Sequence, residues 1–274
     1  MDEAADLKTE PKEKSANDSR DRQFITALAR GLDILSCFSS KERFLNNQEI
    51  SLRTGLPKPT VSRFTYTLIQ LGYLNFSEKL GKFFLGSRTL SLGYAFVANL
   101  EMRQIARPMM KELADYAQAS VAIGVRDQFE MLYIENSRSS TTTFNVRMEV
   151  GSHLPLATSA MGMAYLCGTS EKERAFLMDQ IRGRDAKNWP RIKSCVDKAM
   201  KDYVERGFCL SLGEWDKGVH GVAVPFIPED GTEVLSFNCG GPPFILQEDK
   251  LVTDIGPRLV ALVSNVAHDM QMVK

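Results

Sequence analysis

Leu56-Pro57-Lys58-Pro59-Thr60-Val61-Ser62-Arg63-Phe64-Thr65-Tyr66-Thr67-Leu68-Ile69-Gln70-Leu71-Gly72 is the stretch whose reading decides the fold. Pro59 suits the first turn of a helix, where a missing N–H costs nothing. Gly72 suits the residue just past its end. Between them Val61, Phe64, Leu68 and Leu71 recur at helical spacing and make one apolar stripe. The opposite face carries Thr60, Ser62, Arg63, Tyr66, Thr67 and Gln70, groups that reach phosphates and base edges. The stretch predicts a helix over about 59–71 that buries one face and offers the other to a polar partner.

Working outward, Phe24, Ile25, Leu28, Leu32, Leu35 and Phe38 recur at helical spacing, and Ser39-Ser40-Lys41 ends that segment. Asn46 or Asn47 can cap a second helix, with Ile50 inward and Gly55 as its stop. Downstream, Tyr73–Phe76 and Lys82–Leu85 read as two short strands around a turn at Ser77–Gly81. Helix, helix, turn, helix, hairpin is the order of a winged helix-turn-helix. In that arrangement the 59–71 helix fits a DNA major groove, with Lys58 on a phosphate and Arg63 as the base-reading residue. Thr60, Ser62, Tyr66 and Thr67 complete the reading face, and Lys79 and Lys82 flank the wing tip. A polar face with one arginine is commonplace by itself. What adds weight is that residues 23–90 carry nine basic and four acidic residues in a chain whose formal net charge is zero.

Residues 1–22 are polar, lack apolar periodicity and read as a disordered tail with no secretory signal. No run approaches the ~20 apolar residues of a membrane span, so a cytoplasmic protein without membrane association is expected. Cys37, Cys167, Cys195, Cys209 and Cys239 form no C-x-x-C pair, and the three histidines are dispersed. Buried reduced thiols are therefore expected, with no metal and no cofactor. From Ser87 to Ala117 the pattern is helical again, with Leu90, Tyr94, Val97, Ile105, Met109, Leu113 and Tyr116 marking an inward stripe and Pro108 a start or kink. The expected organisation is a tail at 1–22, a DNA-binding domain at 23–86, a linker helix at 87–99 and a larger domain at 100–274. In that domain strands are expected at 121–125, 131–135, 143–146, 208–211, 219–226 and 233–239. Helices are expected at 159–167, 170–180, 192–206 and 247–270. Short turns such as Glu229-Asp230-Gly231 favour an antiparallel sheet flanked by helices, an α+β architecture.

These residues carry a resemblance. Ala29-Arg30-Gly31-Leu32-Asp33-Ile34-Leu35, then Thr54 to Arg63 with Leu71-Gly72-Tyr73-Leu74, and Phe84-Leu85-Gly86 with Leu92-Gly93 resemble the IclR family of bacterial transcriptional regulators. Val150-Gly151-Ser152 to Leu154-Pro155-Leu156, Thr158-Ser159-Ala160-Met161-Gly162, Gly207-Phe208, Glu214, Gly218-Val219, Ala223-Val224-Pro225 and Gly241-Pro242 are similar to its second domain. The resemblance spans about 24–270. It implies a GAF-like effector domain, a homodimer or homotetramer, and double-stranded operator DNA whose binding is modulated by a small organic acid or aromatic compound.

It also places the effector pocket on Thr143, Val146, Ser159, Ala160, Met161, Ser211, Gly221, Asn238 and Gly240. The residues after Thr158 or Ser159 begin a helix whose free N–H groups suit a carboxylate, although a capped structural helix would read the same way. Family sensors of small carboxylates carry Asp, Cys and two Ser where this chain has Ser211, Gly221, Asn238 and Gly240. The pocket is therefore expected to be roomier and less acidic, suiting an aromatic or larger carboxylate and the control of a catabolic operon. His153, His220, Arg147 and Trp215 are further contact candidates, each of which also fits a structural or surface role. An enzyme is the rival class, but G-x-S-x-G, H-E-x-x-H and glycine-rich phosphate loops are absent. A protein-interaction module that uses the helix-turn-helix for pairing is the other rival.

Overall fold

The structure is a computed structural model that describes residues 23–39, 42–140, 148–229, 231 and 233–273. The expected tail at 1–22 and the expected strand at 143–146 lie outside them. The chain divides into two compact units at Phe96/Val97.

The first unit contains α1 (Thr26–Leu35), α2 (Asn47–Thr54), α3 (Lys58–Gln70), the hairpin β1 (Leu74–Ser77) and β2 (Lys82–Leu85), and most of α4 (Ser87–Ala98). A full capping box starts α2: the Asn46 side chain accepts from Glu49 N, and the Glu49 carboxylate accepts from Asn46 N. Gly55 ends the helix in the left-handed region, φ 69°. The hairpin pairs Leu74 with Leu85 through Ser77 with Lys82, and Leu45 bridges Phe83 on its other edge. Ile34, Phe38, Leu45, Ile50, Val61, Leu68 and Leu74 form the core.

The second unit holds one six-stranded antiparallel sheet of order β5-β4-β3-β8-β7-β6. The strands are β3 (Ser120–Asp127), β4 (Glu130–Arg138), β5 (His153–Pro155), β6 (Cys209–Leu212), β7 (His220–Phe226) and β8 (Leu235–Gly241). Strand alternation gives the sheet two covered faces. On one face Val121, Ile123, Val222 and Phe237 pack under α5 (Glu101–Ala117) and the C-terminal helix. That helix runs from α9 (Glu248–Lys250) through a π turn at Leu251–Ile255 into α10 (Gly256–Val273). On the other face Ala122, Cys209 and Ala223 pack under α6 (Ala160–Gly168), with α7 (Glu171–Arg184) and α8 (Trp189–Arg206) completing that core. Each unit is thus all that its α+β description requires.

Several apolar stripes face other than expected. In α5 the buried positions are Met102, Ala106, Met110, Leu113, Ala114 and Ala117. Of the expected stripe only Leu113 is fully buried, and Tyr116 is exposed with its hydroxyl on Asp254. Small alanines, which carry little weight in a periodicity reading, let α5 lie close to the sheet. In α4 no residue is buried, and Leu90 and Tyr94 are 73% and 67% exposed. Phe24, Ile25, Leu28 and Leu32 of the first stripe are also exposed, whereas Ile34 is buried. On α3, Leu71 lies exposed and Thr65 takes the buried place, with its hydroxyl on Val61 O.

Two glycines give a direct test of this packing. A Cβ at Gly162 in α6 would lie 2.1 Å from Leu156 O, a backbone atom, whereas one at Gly183 in α7 meets nothing. Gly162→Ala should lower stability by about 1–3 kcal/mol. Gly183→Ala should raise it by about 0.4–1 kcal/mol. Urea unfolding of the two variants beside the parent checks both signs.

Candidate functional site

The face of α3 opposite its core stripe is open. Lys58, Ser62, Arg63, Tyr66 and Thr67 are exposed and Thr60 is half-buried. Arg63 and Tyr66 make no hydrogen bond or ion pair among the described residues, so both side chains are available to a partner. Thr67 returns its hydroxyl to Arg63 O at 3.0 Å, and Lys58 Nζ donates to Gln48 at 3.3 Å. Ser62 is tied down instead: it accepts from Asn47 Nδ2 and donates to Lys58 O. That bond fixes α3 against the capped start of α2. Arg30 of α1 lines the same surface concavity as Thr60, Ser62, Arg63 and Tyr66. The sequence reading missed it because only the fold brings α1 beside α3.

At the hairpin the two lysines differ. Lys79 is exposed at the tip and unpaired among the described residues. Lys82 turns back to Glu49 with an N–O distance of 3.0 Å. Both lysines flank the hairpin, and the Lys82 charge is partly offset within the fold. Glu49 accepts from Asn46 N and from Lys82, and both hold its carboxyl below the usual range. Arg53 is likewise engaged with Glu42, which leaves Arg30, Arg43, Lys58, Arg63, Lys79 and Arg88 as the exposed cations of the first unit without an acidic partner among the described residues.

In the second unit a cavity opens between the start of α6 and the sheet. Strand register explains why it exists. Ser211 pairs with Gly221, Gly221 with Gly240, and Gly240 with Ser120. Directly paired residues share a face, so four small residues form one row across β6, β7, β8 and β3. The row is low enough for the first turn of α6 to descend: a Cβ on Gly221 would touch the Ala160 Cβ at 3.4 Å. The next row is Cys209, Ala223, Asn238 and Ala122. The cavity is lined by Ser120, Tyr133, Met148, Leu154, Ser159, Ala160, Ser211, Trp215, Val219, Gly221, Asn238 and Gly240. None of these side chains is charged.

Ser159 caps α6 by accepting from Gly162 N at 3.0 Å while donating to Pro155 O at 2.7 Å. Among the described residues the N–H groups of Ala160 and Met161 find no acceptor, as the first turn of any helix requires of some donors. Ser211 donates to Thr158 O at 3.1 Å. Asn238 Nδ2 donates to the Tyr133 hydroxyl at 3.2 Å, and burial pushes the Tyr133 phenol up to about 12.

Comparison with known proteins decides what these two units are. Residues 27–77 match the family model described as IclR helix-turn-helix domain, and residues 94–268 that described as Bacterial transcriptional regulator IclR C-terminal. The chain belongs to the IclR family. The HTH-type transcriptional regulator TsaQ1/TsaQ2 of Comamonas testosteroni is 32% identical over 91% of this chain and 90% of its own length. The p-hydroxybenzoate hydroxylase transcriptional activator of Acinetobacter baylyi is 23% identical over 94% of both. A solved IclR family transcriptional regulator from Brucella abortus is 47% identical, with a TM-score of 0.85 over 93% of this chain and 96% of that one. The chain is therefore a transcriptional regulator with a DNA-binding helix-turn-helix and an effector-binding C-terminal domain, not an enzyme.

Of the residues that the IclR resemblance placed in the pocket, Ser159, Ala160, Ser211, Gly221, Asn238 and Gly240 meet at this cavity. Met161 does not line it but is buried with its sulfur against Gly124. Thr143, Val146 and Arg147 lie outside the described residues. Trp215 lines the cavity, whereas His153 pairs with Asp127 and His220 with Leu246 O. Tyr133 and Ser120 were missed, because only strand register reveals that they face α6. The cavity is about 30 Å³, enough for one or two waters, and Ala160 stands over Gly221 at its floor. Two cysteines, Cys37 and Cys195, are half-buried rather than buried; all five are free, with Cys167 and Cys209 touching at 3.4 Å. Among the described residues no cluster of acidic, His or Cys side chains could hold a metal, and no helix is long and apolar enough to cross a membrane.

A bulge in β4 serves both faces of the sheet. Ile123 pairs with Glu135 and Gly124 with Tyr133, leaving Ile134 extra. Tyr133 therefore faces the cavity while Glu135 faces α5, where Arg103 and Arg107 meet it at 2.7 and 2.9 Å. Glu135 is 6% exposed, so its removal strands the Arg103 charge. Glu135→Ala should cost about 3 kcal/mol. Lys193→Ala, which breaks an exposed pair with Asp197, should cost under about 0.5 kcal/mol. Chemical denaturation of both variants measures the contrast.

Proposed function

We propose that this regulator binds a two-fold-symmetric operator as a homodimer, or as a dimer of dimers. Its affinity is set by a small organic acid, an aromatic or other carboxylate, seated in the α6 cavity, and the genes it controls form a catabolic operon. The observation that carries the reading is the cavity itself. Among the described residues its lining is uncharged, walled by Met148, Leu154 and Trp215, and it opens on the first turn of α6, where two backbone N–H groups find no acceptor among those residues. A helix N-terminus of that kind favours an anion. The name of the Acinetobacter relative, an activator for p-hydroxybenzoate hydroxylase, supports an aromatic acid. An apolar cavity that takes benzene is about 150 Å³, so a ring requires this one to widen. The loop Gly213–Gly218, half-buried as far as Trp215 and exposed beyond it, is the wall we assign to that movement.

On the DNA side, Arg63 reads a base, Tyr66 and Thr60 flank it, and Arg30, Lys58 and Lys79 hold phosphates. One recognition helix covers one half-site, so a two-fold operator calls for a second copy. The exposed apolar residues of α1, of the segment just before it and of α4 supply a surface for it: Phe24, Leu28, Leu32, Leu90 and Tyr94 are each more than half exposed.

Three variants test this reading in an anisotropy titration at several salt concentrations. Arg63→Ala should cost about 1–3 kcal/mol and relax preference at one base pair. Lys79→Ala should weaken all sequences alike and reduce the salt slope by about 1, and Lys82→Ala should do so less. Equal, sequence-independent losses for all three would contradict the division between reading and holding. For the dimer, Leu28→Glu with Leu32→Glu should shift the mass measured by light scattering toward the monomer. An unchanged mass would move the interface elsewhere.

A further inference from the structure

Two thiols meet in the core under α6. Cys167 lies in the last turn of that helix and Cys209 at the start of β6, with the two sulfurs 3.4 Å apart. Both are buried. The other three cysteines sit on different elements: Cys37 follows α1, Cys195 is on α8 and Cys239 on β8. The paired thiols are not equivalent. Cys167 keeps 9% of its surface exposed and Cys209 none. The Cys209 sulfur also lies 3.6 Å from Ala199 O. Its contact with Cys167 and its burial push the Cys209 thiol well above the ordinary range, and the charge of Asp202 on α8 adds to that. Cys209 therefore stays a thiol until Cys167 has reacted. Solvent reaches Cys167 first, with a second cysteine held beside it, the arrangement in which a sulfenic acid is resolved to a disulfide.

The pair also stands where a covalent bond has a mechanical effect. Ser211, two residues after Cys209 and on the same face of β6, donates to Thr158 O just before α6. That bond ties β6 to the start of the helix, and the thiols meet near its other end. Gly168, next to Cys167, lies so close to β7 that a Cβ there would stand 2.6 Å from the Pro225 Cβ. A disulfide holds its sulfurs at about 2.05 Å, so closing the pair draws them together by about 1.4 Å. With one end of α6 bonded to β6, movement at its start is restricted, and that start is a wall of the cavity.

We propose that Cys167 and Cys209 are a site of reversible disulfide formation, closed by a peroxide, and that the bond changes the affinity of the regulator for DNA. In the first step the Cys167 sulfur attacks one peroxide oxygen and the O–O bond breaks. One water leaves with the thiol proton, and Cys167 becomes a sulfenic acid. In the second the Cys209 sulfur attacks Cys167, the S–S bond forms and the S–O bond breaks. The hydroxyl leaves with the Cys209 proton as a second water. The two thiols lose two electrons and two protons, and the peroxide gains them. Where thiols are kept reduced the pair rests open, and the disulfide is a transient signal. The bond stands on the thiol geometry alone; its effect on DNA rests on the reading above, that the second unit controls binding.

The full chain, treated with hydrogen peroxide, is denatured in N-ethylmaleimide and weighed by mass spectrometry. The reduced chain should take a label on every cysteine, and the oxidised chain only on Cys37, Cys195 and Cys239. Trypsin should then release Met148–Lys172 joined to Gly207–Lys217, and dithiothreitol should restore full labelling. In Cys209→Ala the reaction should stop at Cys167, where dimedone traps the sulfenic acid, and in Cys167→Ala no internal bond should form. Circular dichroism melts check that both variants are folded, and the parent chain tests the bond without them. In anisotropy titrations on the DNA upstream of its own gene, oxidation should shift the affinity of the parent about fivefold or more. Dithiothreitol should reverse the shift, and Cys167→Ala should not show it. Full labelling after peroxide, or a bond that engages Cys37 or Cys195 instead, overturns the assignment. A Cys167–Cys209 bond that leaves DNA affinity unchanged overturns its regulatory role. If an organic acid still shifts that affinity, control from the second unit stands; if none does, that reading falls as well.

Discussion

The descent of α6 onto the row Ser120, Gly240, Gly221 and Ser211 is the constraint on which the second unit depends. Large side chains in that row would lift the helix and fill the cavity with protein. Small ones bring the helix start within van der Waals reach of the sheet, close enough that Ala160 meets Gly221 and Met161 meets Gly124. The approach is held at the other end of the turn by Gly162 against Leu156 O. Because the backbone itself approaches, the cavity meets the helix at its capped start, Ser159 and Ala160.

The β4 bulge links this cavity to the rest of the unit. A regular strand would turn Tyr133 and Glu135 to the same face. The inserted Ile134 sends one to the cavity and the other to the buried pairing with Arg103 and Arg107 on α5. The same strand holds Met148, a cavity residue, through Asn136 and Arg138. One strand therefore carries both a wall of the cavity and the anchor of the first helix of the unit.

Much of this was legible in the sequence, for reasons that are local. The capped α2, the α3 helix opened by Pro59 and stopped before Gly72, and the hairpin turn are specified by residues within a few positions of one another. The family pattern added most of the pocket: Ser159, Ala160, Ser211, Gly221, Asn238 and Gly240. What escaped was set by pairing at a distance. Tyr133 and Ser120 are exposed to the cavity by register and a bulge, neither of which has a periodic signature. Lys82 reads as a wing cation until Glu49, far away in the chain, is seen beside it. The apolar stripes of α1, α4 and α5 obeyed helical spacing, yet spacing alone does not say whether a stripe faces the core, and in α5 alanines took the buried side.

The measurement that tests the central claim most directly is operator binding with the acid present and absent. The full chain is titrated onto the DNA upstream of its own gene at two salt concentrations, followed by anisotropy, with each acid added in turn. The account predicts sequence-selective binding that weakens steeply with salt, and a change in affinity on addition of an acid. Selective binding that no carboxylic acid alters, or no selective binding at either salt concentration, would contradict it.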